Sequence, residues 1–267
     1  MILESRNKPK SNLSLRQKIR KTILFLWLVV MPITFNLFSP ILIIMAGFEA
    51  TINMSIIIFA IWFLSSLIFG RAYCAYACQW GALQEIFGET MKKKLDPNKK
   101  KRNRKVKFLV FIIWIVVVFL GPILAGGYIN GINFFYPNVT EQNQWWSFDG
   151  RAPGSLIFYF GIQITIVMLF VWIPGNRGLC AYGCPMGVLG ILGTKIKNFF
   201  KWPSLHLESD SNKCIKCKKC SKECPMSIDV HTLIQSENME NMECILCGSC
   251  VDVCSHNAIK FAWKWKN

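Results

Sequence analysis

Residues 70–83 read "GRAYCAYACQWGAL", and residues 176–189 read "NRGLCAYGCPMGVL". Seven of the fourteen aligned positions are identical, and the two stretches start 106 residues apart. Each stretch carries two cysteines in a C-x3-C spacing, which are Cys74 with Cys78 and Cys180 with Cys184. A cysteine turn that occurs twice at this distance predicts an internally duplicated fold.

The composition is apolar and strongly basic at the same time. Of the 267 residues 52% are hydrophobic, and the formal net charge is +16. The lysines and arginines lie in tracts between apolar runs rather than across a polar domain, which disfavours nucleic-acid binding. An apolar chain with cationic loops is typical of a membrane protein.

Four apolar runs have about the length that a helix needs to cross a hydrocarbon core. They cover residues 22–46, 52–70, 107–126 and 155–173. The part over 108–124 shows no polar stripe of the kind that a soluble amphipathic helix carries. The runs predict four transmembrane helices in a tandem two-helix repeat, and the first run is too long for a cleaved signal peptide.

The positions of the basic residues predict an orientation. The tail 1–21 and the loop 91–107 are rich in Lys and Arg, whereas the loop 127–154 contains only Arg151. By the positive-inside rule, this multi-pass protein of a bacterial inner membrane would have both termini in the cytoplasm. A parallel repeat of this kind has a pseudo-two-fold axis, which could bring the four turn cysteines together.

Eight of the twelve cysteines fall within residues 214–254. They form two C-x2-C-x2-C-x3-C motifs, the spacing of ferredoxins with two [4Fe–4S] clusters, in which the fourth cysteine ligates the other cluster. The predicted ligand sets are Cys214, Cys217, Cys220 and Cys254 for one cluster, and Cys244, Cys247, Cys250 and Cys224 for the other. Structural zinc and disulfides fit this spacing less well.

The predicted fold class is an all-α membrane protein with a C-terminal α+β ferredoxin-like domain that holds two [4Fe–4S] clusters. The predicted domains are a basic tail at 1–21, a four-helix transmembrane domain at 22–200 and the two-cluster domain at 201–267. A domain as small as the last one gains stability from metal ligation.

Four predicted spans, two R-x-x-C-x-x-x-C turns and a two-cluster C-terminal domain resemble the NapH type. That type is the ferredoxin-like membrane component of a quinol dehydrogenase that serves periplasmic nitrate reductase. Membrane proteins of nitrous oxide respiration, methylamine utilisation and oxidase assembly are similar to it. The resemblance covers nearly the whole chain. One departure is Gln79, where the family's C-x3-C-P turn has the proline that the second copy keeps as Pro185.

The resemblance implies a function and partners. The protein would be an electron-transfer subunit of a quinol dehydrogenase that takes electrons from menaquinol or ubiquinol in the lipid membrane. It would pass them to a periplasmic iron–sulfur carrier and on to a reductase, with nitrate reductase as the first candidate. The turns would contact a cytoplasmic ferredoxin-like protein. Two other functions stay open: an iron–sulfur maturation factor that reduces a metal or a disulfide, and a non-catalytic anchor of an electron-transfer complex.

The four turn cysteines have several interpretations. They could form a third metal site, including a third cluster, or a dithiol switch. They could also shape partner contacts, or be small buried cysteines inherited by duplication. Arg71 and Arg177 precede the turns by three residues. A cation there would favour thiolate or would only mark the cytoplasmic side.

Few polar residues lie within the apolar runs. Asn36 and Gln163 could hydrogen-bond a quinone carbonyl, and either could equally bond a neighbouring helix. Glu85 and Glu89 could accept quinol protons, or they could simply be solvated. All three histidines follow the last run, so the chain offers no histidine pair for a haem within the predicted spans.

Overall fold

The computed structural model describes residues 14–30, 40–48, 51–91, 97–124, 131–133 and 153–264. The chain forms a helical part up to Phe199 and a smaller α+β part after it. The helices of the first part are α1 Leu15–Val29, α2 Pro40–Phe48, α3 Met54–Phe69, α4 Ala72–Tyr76, α5 Gln79–Met91, α6 Pro97–Leu124, α7 Pro153–Trp172, α8 Gly178–Tyr182 and α9 Pro185–Phe199. Two short strands, β1 Thr51–Asn53 and β2 Gly131–Asn133, pair in parallel.

The two cysteine turns have the same local structure. In each copy a long helix is followed by a five-residue helix that contains the first cysteine, and the next helix begins directly after the second cysteine. Pro185 is the first residue of α9, where proline is well tolerated because its missing N–H would have no helical partner. Gln79 holds the equivalent first position of α5. The departure from C-x3-C-P therefore does not change the helical pattern of the turn.

The helices do not follow the four predicted spans. The run 22–46 is divided between α1 and α2, and Pro40 begins the second of these helices. Helix α3 has 16 residues, fewer than the about 20 that a span needs, and α6 starts inside the basic tract. Among the described residues, none of the helices combines the length and the apolarity required to cross a membrane.

This finding contradicts two predictions, and both are corrected. The first is the fold class of an all-α membrane protein with four transmembrane helices. The paired strands β1 and β2 of the helical part do not fit an all-α fold either. The second is the multi-pass location in a bacterial inner membrane with cytoplasmic termini. The physical reason is that hydropathy marks apolar runs but does not mark the residues at which helices begin and end.

The C-terminal part is the predicted small α+β domain. Strands β3 Ser204–Ser209 and β4 Ile259–Lys264 pair antiparallel, with Leu207 opposite Phe261. Between the strands lie the 3-10 helix Ser211–Lys213 and the helices α10 Lys219–Glu223, α11 Val230–Gln235 and α12 Ser249–Asp252. Both four-cysteine motifs lie between the two strands in sequence, so the sheet closes the domain around them.

Polar contacts join this domain to the helical part. The Gln17 side chain in α1 donates from Nε2 to the Cys247 carbonyl at 3.0 Å and to Asp252 Oδ2 at 2.7 Å. Lys197 in α9 donates from Nζ to the Leu205 carbonyl at 2.8 Å. These contacts hold the second cysteine motif and the start of the sheet against the helices.

The crossing of α2 and α6 depends on a glycine and gives a testable prediction. A Cβ on Gly121 would lie 2.7 Å from the Gly47 carbonyl carbon and 2.8 Å from the Phe48 nitrogen. These are backbone atoms and cannot rotate away. Gly121→Ala should therefore destabilise the protein by about 1–3 kcal/mol, as overpacking does, measured by denaturant unfolding of anaerobically prepared protein.

Gly161→Ala is the matched control for this substitution. Gly161 also lies within a helix, and among the described residues no atom outside its own stretch of helix lies within 4 Å of the Cβ that alanine would add. Replacing a helical glycine by alanine at such an open position should be neutral or stabilise by up to about 1 kcal/mol. Equal unfolding midpoints for the two variants would contradict the close crossing of α2 and α6.

Candidate iron–sulfur sites and the paired cysteine turns

Two cavities in the C-terminal domain are each lined by one predicted ligand set. Cavity I has about 370 Å³ of empty space, and its thiols are Cys214, Cys217, Cys220 and Cys254. Cavity II has about 450 Å³ of empty space, and its thiols are Cys224, Cys244, Cys247 and Cys250. The structure therefore groups the cysteines as the spacing predicts, including the exchange of the fourth cysteine between the motifs. Ligation by these thiols stays a prediction.

The two cysteine motifs turn the chain at equivalent positions. Lys216 and Lys218 in the first motif have φ of 58° and 57°, and Leu246 and Gly248 in the second have φ of 53° and 78°. Three of these residues are not glycine, and the left-handed conformation costs such residues roughly 1–2 kcal/mol. Repeated strain of this kind is typical of a site where a bound group determines the path of the chain.

The surroundings of both cavities fit an iron–sulfur cluster. Cavity II is otherwise lined by apolar side chains such as Met226 and Ile228, and at cavity I the Ala258 N–H donates to Cys254 Sγ at 3.4 Å. Burial and hydrogen bonds to sulfur are the means by which a protein sets cluster potential. Within the described ranges, no three His, Cys, Asp or Glu side chains are placed to hold a single metal ion. The cysteine thiols line the two cavities and do not converge on the position of a single ion.

The four cysteines of the duplicated turns also come together, and we call this group the four-thiol site. Cys74 and Cys180 are each 6% exposed, and Cys78 and Cys184 are half-buried. Cys78 interacts electrostatically with the three other thiols. Gln84 bridges the two copies, because its Nε2 lies 3.4 Å from Cys180 Sγ.

The arginine of each turn packs against the opposite turn. Arg177 donates from Nη1 to the Cys74 carbonyl at 2.8 Å, and a Cβ on Gly81 would lie 2.8 Å from the same Nη1. Arg71 lies against Gly187, where a Cβ would approach Nη2 at 3.2 Å. The two glycines hold equivalent places in the two copies. The missing side chain of each leaves room for the guanidinium of the other copy.

Glu85 is a buried counterion, in contrast to the solvated carboxylate that the sequence suggests. It accepts a hydrogen bond from Arg177 Nη2 at 2.5 Å and is also paired with Arg20. Burial by itself would raise the pKa of Glu85, but the charges of Arg177 and Arg20 and their hydrogen bonds lower it to about 2. Glu89 is different, because it is exposed and lies 2.5 Å from Lys21 at the surface.

Glu243 is a second buried counterion, and it directly precedes the predicted ligand Cys244. It accepts from Arg71 Nη1 at 3.3 Å and is also paired with Lys107. Arg71 Nη1 further donates to the Met242 carbonyl at 2.9 Å. Sequence reasoning missed Glu243 as a partner and took Lys107 as part of a basic tract. No local pattern marks this contact, because Glu243 is 172 residues from Arg71 and 136 from Lys107.

The guanidinium groups at the four-thiol site keep unused donors. Arg71 is 1% exposed and Arg177 is 0% exposed. Among the described residues, Nε of Arg177 has no hydrogen-bond partner, and Nε and Nη2 of Arg71 have no oxygen or nitrogen acceptor. Burial raises the pKa of Cys74, while the charges of both arginines and a hydrogen bond from the Arg71 side chain lower it. Burial and the neighbouring thiols raise the pKa of Cys184 to about 12.

The predicted quinone contacts lie outside the described part of the chain. Asn36 is not among the described residues. Gln163 has its backbone in α7, but its side chain is not described. The structure therefore leaves both contacts as predictions.

Comparisons with known proteins agree with iron–sulfur chemistry. A family described as "4Fe-4S dicluster domain" matches residues 206–255, and one described as "4Fe-4S binding domain" matches residues 53–98. An uncharacterized protein of Methanocaldococcus jannaschii is 26% identical over 82% of this chain and 73% of its own length. No solved structure matches the chain.

Two relatives from Escherichia coli have names that describe a function. "Putative electron transport protein YccM" is 29% identical over 71% of this chain and 50% of its own length. "Ferredoxin-type protein NapH" is 23% identical over 74% of this chain and 63% of its own length. The chain thus contains a 4Fe–4S ferredoxin-type domain and is related, at low identity, to ferredoxin-type electron-transfer proteins.

The buried carboxylate at Glu243 gives a second prediction. Glu243→Gln removes the carboxylate that the buried side chains of Arg71 and Lys107 share. Breaking a buried ion pair in this way should lower the free energy of unfolding by about 3–5 kcal/mol, measured by denaturant unfolding at neutral pH.

The control for this substitution is Glu89→Gln, which removes a carboxylate from an exposed pair with Lys21. An exposed pair contributes about 0–1 kcal/mol, so this variant should unfold close to the wild type. Similar small losses in both variants would mean that Glu243 is not the counterion of the two cations.

Proposed function

We propose that the protein transfers electrons through two [4Fe–4S] clusters held in its C-terminal domain. The observation that carries this proposal is the grouping of eight cysteines around two separate cavities of similar size. Four thiols in each group match the ligand number of a cubane cluster. Cys220 of cavity I and Cys250 of cavity II interact electrostatically. The two clusters would therefore be neighbours, as an electron path requires.

The proposed ligands follow the grouping of the cavities. They are Cys214, Cys217, Cys220 and Cys254 in cavity I, and Cys224, Cys244, Cys247 and Cys250 in cavity II. A cluster supplies one-electron redox chemistry when it is bound. The chain supplies burial, hydrogen bonds to sulfur and nearby charges. We also propose a domain boundary near residue 200, since α9 ends at Phe199 and β3 begins at Ser204.

The names of two relatives, which contain "ferredoxin-type" and "putative electron transport", support electron transfer as the activity. The resemblance to the NapH type supports a finer proposal. In it the electron donor is menaquinol or ubiquinol, and the protein is a subunit of a quinol dehydrogenase. An iron–sulfur carrier would take the electrons on to a reductase, with nitrate reductase as the first candidate.

The exchange of the fourth cysteines gives a discriminating test of the two-cluster site. Cys254→Ser should remove the same cluster as Cys217→Ser, although the two residues belong to different motifs. Cys224→Ser should likewise remove the cluster that Cys247→Ser removes. Each substitution should lower the iron content by about four atoms per chain. Iron and sulfide assays, together with electron paramagnetic resonance of dithionite-reduced samples, measure the effect.

Ser236→Ala is the control, because the Ser236 side chain is exposed and its hydroxyl donates to the Leu233 carbonyl three residues away. This variant should keep both clusters. If Cys254→Ser and Cys247→Ser removed the same signal, the exchanged ligand assignment would be wrong. Protein prepared without oxygen that contained no iron or sulfide would contradict the proposed function itself.

The quinol donor is tested on the same sample. Menaquinol added anaerobically to the oxidised protein should reduce the clusters and produce the signals that dithionite produces. Menaquinone is the control, because it has no electrons to donate. Clusters that dithionite reduces but menaquinol does not would contradict the quinol donor and leave electron transfer standing.

A further inference from the structure

The four-thiol site at the interface of the two repeats has no place in the two-cluster proposal. We propose that Cys74, Cys78, Cys180 and Cys184 together ligate a third iron–sulfur cluster. The inference goes beyond the two C-terminal clusters and does not need them to be correct. It assigns one joint site to two turns that lie 106 residues apart in the sequence.

A joint site follows from the number of thiols that each turn offers. The family described as "4Fe-4S binding domain" matches residues 53–98, and this segment contains only Cys74 and Cys78. Two thiolates leave half of a cubane without protein ligands. The second turn supplies Cys180 and Cys184, and the exchanged arginines hold the two turns against each other.

The balance of buried charge at this site calls for an anion. Glu85 lies between Arg20 and Arg177, and Glu243 lies between Arg71 and Lys107. In each group two cations share one carboxylate. All six side chains are buried. A buried charge is costly unless an anion compensates it.

A four-thiolate cluster would supply negative charge at this site. Four thiolates on a [4Fe–4S] core in its 2+ state carry a formal charge of two minus. Four protonated thiols would supply none. Metal ligation keeps a cysteine deprotonated in a buried place, because binding releases the proton.

The unused donors of the two arginines point to the same anion. In the described part of the chain, Nε of Arg177 has no partner, and Nε and Nη2 of Arg71 have no oxygen or nitrogen acceptor. The Arg71 side chain reaches the Cys74 thiol. A buried donor without an acceptor costs about 1–3 kcal/mol, and more when it is charged. The thiolates and sulfides of a cluster would accept these hydrogen bonds. Such bonds to sulfur raise the cluster potential.

The four thiols are not placed around a single metal ion. No three thiols, imidazoles or carboxylates among the described residues can meet on a single metal ion. A cubane binds its four thiolates at its corners and so holds them farther apart than one ion does. The site also lies beside cavity II, because Arg177 interacts electrostatically with Cys247 and Arg71 with Cys244.

The iron content of the full chain tests the proposal. Protein prepared anaerobically should contain about 12 iron atoms and about 12 sulfides per chain, four of each for three cubanes. The double variant Cys74→Ser with Cys180→Ser should contain about eight of each. It should keep both C-terminal signals in electron paramagnetic resonance. Cys217→Ser should also contain about four iron atoms fewer. Unlike the double variant, it should lose one of the two C-terminal signals.

Two further variants make the result specific to the site. Ser65→Ala is the matched control, because the Ser65 hydroxyl donates to the Trp62 carbonyl within α3. It should keep all of the iron. Arg177→Gln removes a positive charge and a donor from the four-thiol site. It should therefore lower the midpoint potential of the third cluster most. The potential of the cluster in cavity II should fall less, because Arg177 also interacts with Cys247, and the potential of the cluster in cavity I should stay within error.

The outcomes separate this proposal from the two-cluster proposal. If the wild-type protein contains about eight iron atoms and the double variant contains the same number, the third cluster is overturned and the other two are supported. Zinc that is lost with the turn cysteines also overturns it. Wild-type protein with about four irons that only the turn variant removes supports the four-thiol site and overturns the C-terminal clusters. If the double variant does not fold, the wild-type iron count alone decides.

Discussion

The exchange of Arg71 and Arg177 between the two repeats determines how the helical part is assembled. Each guanidinium is fully buried against the opposite copy, and removing such a charge from water costs several kcal/mol. The counterion Glu85 belongs to the first copy, whereas Arg177 belongs to the second. Neither copy can therefore satisfy its buried charges by itself. The two turns are held together by the cost of separating these charges as well as by apolar packing.

The same ion network connects the turns to the cluster domain. Arg71 binds the Met242 carbonyl and the Glu243 carboxylate, which are the two residues before Cys244. A cluster in cavity II would fix Cys244, and Arg71 would then transmit that constraint to the first turn. A domain this small would gain much of its stability from ligation. Loss of the proposed clusters should for this reason loosen the turns, although these are distant in sequence.

The sequence predicts those features that local spacing encodes. The two C-x2-C-x2-C-x3-C motifs predict the grouping of cysteines around two cavities, because a short spacing determines how a loop wraps around a cluster. The repeated R-x-x-C turn predicts the convergence of four thiols. The partners of the arginines could not be predicted, since Glu85 is 92 residues from Arg177 and Glu243 is 172 from Arg71. Hydropathy likewise located the apolar runs, but it did not show that Pro40 begins a separate helix.

The duplication is incomplete at one position, and this explains the role of the cluster domain. Glu85 in the first copy corresponds to Ile191 in the second, which is a fully buried apolar residue. The second copy thus lacks a carboxylate of its own for Arg71. Glu243 of the C-terminal domain supplies it. The C-terminal domain therefore supplies, through Glu243, the carboxylate that the second copy does not offer Arg71. This buried ion pair favours docking of the domain at the turns.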